Sequence, residues 1–138
     1  MRPANRTRRI LGAAVLCFLL LVAEVAAEVR VYYFHSTARC AECLKVEQMT
    51  GEILRENFYQ ELAGGQLAWL PTNADLPENS HFVFDYDLAA NELVVVRDPE
   101  VRTTAWNKLP EVWNLVHDPG KFRTELLNMV RQALATAD

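Results

Sequence analysis

A strand followed at once by a helix, near residue 40, limits this chain to few architectures. Val29-Arg30-Val31-Tyr32-Tyr33-Phe34 is β-branched and aromatic and reads as a buried strand. A short loop, Ser36-Thr37-Ala38-Arg39, leads to Cys40, and no proline follows until after Leu62. Over that stretch Cys43, Leu44, Ile53, Leu54, Phe58 and Leu62 form an imperfect apolar stripe at helical spacing. Gly51 is its soft spot, and Gly64-Gly65 ends it. Gln66 to Leu70 then reads as a second strand closed by Pro71. Strand, helix, strand in that order requires the two strands to lie parallel, because the helix carries the chain back across the sheet.

The rest of the chain extends the sheet and covers it. Asn73 to Pro77 reads as loop, and Pro77 suits the first turn of a short helix running to about Tyr86. Leu93-Val94-Val95-Val96 is the clearest strand. Asp98-Pro99 turns it, and Val101 to Trp106 is expected to return antiparallel as a hairpin. Glu111 to Val116 is a short helical piece, broken by His117-Asp118-Pro119-Gly120. Lys121 to Ala135 is a closing amphipathic helix with Phe122, Leu126, Val130 and Leu134 on one face. The expected fold class is α/β, with a mixed sheet of about four strands and helices on both faces. No repeat or linker interrupts it.

Residues 1 to 27 are of another kind. Arg2, Arg6, Arg8 and Arg9 precede an uncharged, mostly aliphatic run from Ile10 to Ala23, and Val25-Ala26-Ala27 supplies small residues for a cleavage site. Those are the three parts of a secretory signal peptide, so cleavage is expected after Ala27. The alternative is an uncleaved anchor, for which the run is short against the roughly 20 apolar residues a bilayer needs. Cys17 lacks a lipoprotein context and would leave with the signal. The two expected segments are therefore a signal peptide, 1–27, and one exported domain, 28–138, free of stable membrane association.

The whole chain has 138 residues, with 14 Lys and Arg against 18 Asp and Glu. Without its first 27 residues it keeps 10 cations and 17 acids, so nucleic acid is not an expected partner. Its 111 residues can bury one core. Only Cys40 and Cys43 remain as cysteines, and in an exported protein a disulfide between them is the default state.

Cys40-Ala41-Glu42-Cys43 stands where the first strand gives way to the first helix. Cysteines three apart at a helix start lie on adjacent turns, within reach of a bond. Free N–H groups and the positive end of the helix dipole would stabilise a thiolate on Cys40. Cys43, one turn further in, would resolve the mixed disulfide that Cys40 forms with a client. Glu42 and Arg39 pull the Cys40 thiolate in opposite directions, the acid disfavouring it and the guanidinium favouring it. The pair is expected to be fairly reducing, nearer about -270 mV than the roughly -120 mV of strong oxidants, and so to need an electron donor such as a membrane thiol relay.

Val31-Tyr32-Tyr33-Phe34-His35 with Arg39-Cys40-Ala41-Glu42-Cys43 resembles the thioredoxin superfamily and, within it, small exported bacterial thioredoxin-like proteins. The resemblance implies the three-layer thioredoxin-like fold, Cys40 as nucleophile, Cys43 as resolving residue, protein thiols and disulfides as clients, and no cofactor. The sequence departs from that pattern twice. Where a cis-proline is implied before the third strand stands Leu88-Ala89-Ala90-Asn91-Glu92, and Tyr33 takes the place expected for a buried acid in the first strand. A narrow client range follows as the expectation.

Two alternatives belong to other classes. One is an adaptor of the same fold without turnover. The other is a Cu(I) or Zn(II) site built from Cys40, Cys43 and His35, which for zinc lacks a fourth ligand. The plainer role for His35 is to end a strand and hydrogen-bond loop backbone. His81 and His117 are expected at the surface. Trp69, Trp106, Trp113, Tyr32, Phe34 and Phe82 are expected in the core, and Asp75, Glu78, Asp85 and Asp87 on a solvated face.

Overall fold

The computed structural model describes residues 28–97 and 106–135. The expected signal segment and the Asp98-Pro99 turn lie outside them. Four strands form one sheet: β1 (Val29–His35), β2 (Leu67–Asn73), β3 (Glu92–Arg97) and β4 (Trp106–Lys108), in the order β2-β1-β3-β4. β1 pairs parallel with β2, Val29 opposite Leu67 and Tyr33 opposite Pro71. β3 runs antiparallel to β1, with Phe34 opposite Glu92, and β4 antiparallel to β3. The sheet is mixed, as strand–helix–strand followed by a hairpin requires.

The alternation of β1 divides the interior in two. Val29, Val31 and Tyr33 face one side, where they pack with Leu93 and Val95 against α1 (Ala41–Asn57), α4 (Val112–Leu115) and α5 (Pro119–Ala135). Phe122, Leu126 and Val130 of α5 are buried in that core, and Leu134 is packed at its edge. Tyr32 and Phe34 face the other side with Val94 and Val96. There a 3-10 turn (Pro77–Asn79) and the five-residue α3 (His81–Asp85) supply Phe82, with Tyr86 and Trp106 beside it. This is the expected α/β arrangement, a mixed sheet of four strands with helical pieces on both faces, in three layers, one of them thin. Tyr32, Phe34, Phe82 and Tyr86 compensate with ring contacts at 5.0–5.9 Å between centroids.

Several boundaries differ from the sequence expectation. The first helix does not weaken at Gly51, which is buried in its middle. It breaks at Phe58, whose φ of -132° and ψ of 33° leave the helical region, and resumes as α2 (Tyr59–Ala63). Phe58 is buried and tied by its N–H to the Leu54 carbonyl, so the break seats an aromatic ring in the core. Gly65, at φ +78°, makes the left-handed turn into β2. Pro71 lies inside β2 rather than at its end, which the edge position permits because one side of that strand needs no ladder donor. The return strand is described over Trp106–Lys108, and 101–105 of the expected strand lie outside the described residues. The short piece after Pro77 is a 3-10 turn plus α3, not one helix, and the closing helix begins at Pro119. Among the described residues no helix is long and apolar enough to cross a membrane.

Candidate functional site

The loop from the C-terminal end of β1 delivers Cys40 to the start of α1. Cys40 is the residue that caps that helix: its backbone is extended (φ -89°, ψ 166°), and its Sγ accepts the Cys43 N–H at 3.0 Å. One of the helix's unpaired amide donors is thus aimed at sulfur. The two cysteines are joined in a disulfide with Cα atoms 5.0 Å apart. Of the two cysteines, Cys40 is the one exposed to solvent, and Cys43 is 3% exposed.

Around the pair, His35 turns Nδ1 to the Ser36 carbonyl at 3.0 Å, while its Nε2 lies 3.5 Å from Arg39 Nη1. The guanidinium of Arg39 in turn pairs with the Glu47 carboxylate in the second turn of α1. Glu42 is exposed in the first turn of the helix. Below them Tyr33 is fully buried, and its hydroxyl has no hydrogen-bond partner among the described residues. Burial pushes the Tyr33 phenol up to about 12, with Glu47 acting in the same direction and Arg39 against.

Among the described residues no group of three or more His, Cys, Asp or Glu is placed to hold a metal ion. His35 spends its two nitrogens on a backbone carbonyl and the neighbourhood of a cation, the loop-anchoring role. His81 and His117 are exposed, His81 turning Nδ1 toward the Glu78 carbonyl at 3.0 Å. Trp69, Trp106, Trp113 and Phe82 are partly rather than fully buried.

Two residues reach the cysteine loop from elsewhere in the chain. Asp75, expected only to be solvated, accepts the Thr37 N–H through Oδ2 at 2.7 Å and so fastens the loop before Cys40 to the segment after β2. Asn91 stands just before β3, in the stretch that has no proline. The Phe34–Glu92 pairing puts it level with His35. Its Oδ1 accepts the Ser36 N–H at 3.0 Å and its Nδ2 donates to Cys43 Sγ at 3.3 Å. Nothing in local periodicity signals either contact. Only the register of β3 on β1 brings Asn91 there. No peptide bond among the described residues is cis.

No family model matches the sequence, and no curated protein matches it. Among solved structures, the chain is similar to a thioredoxin from Thermus thermophilus determined in solution, at 18% identity over 80% of each chain with a TM-score of 0.47.

Proposed function

We propose that this chain is an exported thiol–disulfide oxidoreductase, working as a reductase on a narrow set of protein clients. The observation that carries this reading is the asymmetry of one sulfur pair: an exposed Cys40, its Sγ held by a helix amide and bonded to a buried Cys43. In the reduced protein the amide and the helix dipole favour the Cys40 thiolate, which attacks a client disulfide and releases one client sulfur as a thiolate. Cys43 then attacks Cys40 Sγ, forming the intramolecular bond and expelling the second client sulfur. The cysteine pair loses two electrons and the client disulfide gains them. An external thiol, here a membrane relay, restores the dithiol.

A reducing poise is supported by the charges. Arg39, the cation that would stabilise the thiolate, is engaged by Glu47, which leaves Glu42 less opposed. A protein client is favoured by apolar side chains at the loop: Leu44, next to Cys43, is 52% exposed, and Leu76, next to Asp75, is 41% exposed. Periplasmic location rests on the signal-like sequence of residues 1–27.

The test is a redox titration of the purified protein in graded thiol/disulfide buffers, with the free thiols read by alkylation and mass. The expected midpoint lies near about -270 mV, and one near about -120 mV overturns the reductase reading in favour of an oxidant. A pair that never exchanges overturns the oxidoreductase reading altogether and leaves an adaptor.

A further inference from the structure

The contact between Asn91 and Cys43 joins residues 48 positions apart, and both ends of the amide are committed. Because the Ser36 N–H can only donate, the atom facing it must be Oδ1. The remaining Nδ2 therefore points its N–H at Cys43 Sγ. A backbone donor on one side fixes which atom the sulfur meets on the other.

We propose that Asn91 is the hydrogen-bond donor that orients and activates the resolving sulfur, Cys43 Sγ. This rests on the exchange chemistry above and assigns a residue to its second step. Cys43 is buried, and burial alone disfavours a thiolate. A hydrogen bond to an anionic acceptor is stronger than one to a neutral acceptor, so an amide N–H in contact with Sγ offsets part of that cost. It does so at the moment Cys43 must become a nucleophile. The usual source of help, a buried carboxylate in the first strand, is absent: Tyr33 occupies that strand and its phenol stays protonated at neutral pH. Charged groups near the pair are Arg39 of the loop and Glu42, Lys45 and Glu47 of the first two turns of α1, with His35 beside them, Asp75 bonded to the loop and Glu92 next to Asn91. Arg39 and Glu47 pair with each other, and none of these has a hydrogen bond to Cys43 Sγ among the described residues.

The probe is oxidised glutathione. The Cys40 thiolate attacks one of its sulfurs and the other leaves as glutathione thiolate. Cys43 then attacks Cys40 Sγ, the Cys40–Cys43 bond forms, and the second glutathione leaves as a thiolate that takes its proton from water. Rapid quench and mass measurement follow the mixed disulfide. Asn91→Leu is expected to leave the first attack unchanged and slow the decay of the mixed disulfide about threefold. That figure combines a roughly tenfold smaller thiolate fraction with the partly compensating rise in intrinsic nucleophilicity. Asn91→Asp keeps the acceptor for Ser36 and loses the donor, and because its carboxylate also repels a Cys43 thiolate, the uncharged Asn91→Leu is the variant that reads the lost donor. In a Cys40→Ser background, ultraviolet thiolate absorbance of Cys43 is expected to appear at higher pH in both Asn91 variants than with Asn91 intact.

Decay at the original rate or an unmoved Cys43 titration in Asn91→Leu, or a first attack slowed as much as the decay, overturns the proposal. If the unmodified protein forms no mixed disulfide at all, the oxidoreductase reading falls, and the Cys43 titration still decides whether Asn91 acts on that sulfur.

Discussion

At the scale of single residues, Tyr33 is a polar group placed where the fold has no obvious use for its polarity. It is fully buried, and its hydroxyl lacks a partner among the described residues. A buried hydroxyl without a hydrogen bond costs about 1–3 kcal/mol, so Tyr33→Phe is expected to leave stability unchanged or raise it by up to about 2 kcal/mol. Urea unfolding at neutral pH measures this, and a loss above about 1 kcal/mol would mean that the hydroxyl has a stabilising partner. The same residue shapes the alkaline limb. Its phenol holds its proton up to about 12 in the fold, chiefly because of burial, while in the unfolded chain it titrates at the ordinary 10.0. Between those values the native state binds more protons than the unfolded state, so stability falls as pH rises from 10 toward 12. The loss from Tyr33 amounts to at most about 2–3 kcal/mol. Tyr86, also raised to about 12 by burial, acts in the same direction. Tyr33→Phe should flatten this slope without abolishing it. The sequence allowed Tyr33 to be placed in the first strand because alternation and β-branching are local signals. It could not supply the roles of Asn91 and Asp75, because each depends on a partner tens of residues away that only sheet register and loop packing select.

The elements show the same division between local and distant causes. β1, β3 and the two long helices were legible from apolar period alone, since each buries one face or both. The break at Phe58 was not, because a phenylalanine on the apolar stripe fits a continuing helix as well as an interrupted one. Gly51 looked like the weak point and is instead a packing requirement. A Cβ there would stand 3.1 Å from Arg55 Nη1 and 3.3 Å from Trp69 Nε1. The guanidinium end can swing away, whereas Trp69 sits in β2 and has less room. Gly51→Ala gains about 1 kcal/mol of helix propensity against that crowding, so it should change stability by less than about 1 kcal/mol. Gly51→Leu drives a branched side chain into Trp69 and should cost about 1–3 kcal/mol. Comparing the two by thermal unfolding separates the causes: if both variants stabilise the protein, α1 does not approach β2 as closely as the described distances require.

For the whole molecule, the cysteine pair couples redox state to folding through a thermodynamic cycle. The ring that the disulfide closes is very small, so chain entropy limits its stabilisation to about 2 kcal/mol. Opposing it are the contacts that favour reduced sulfur: the Cys43 N–H on Cys40 Sγ and the Asn91 amide on Cys43 Sγ. The balance decides what the protein can do. A fold that stabilises the disulfide more than the dithiol makes its own pair harder to reduce than in an unfolded chain, and so a better reductant. A fold that stabilises the dithiol makes an oxidant. For a reductase, unfolding free energy in denaturant should be higher for the oxidised protein than for the reduced one, by up to about 2 kcal/mol, which corresponds to roughly 40 mV of potential. The two quantities are independent measurements of one difference, so they must agree in sign as well as size. A reduced form more stable than the oxidised one would place the protein among oxidants. It would also mean that the helix amide and Asn91 together outweigh the closed ring and the Glu42 charge.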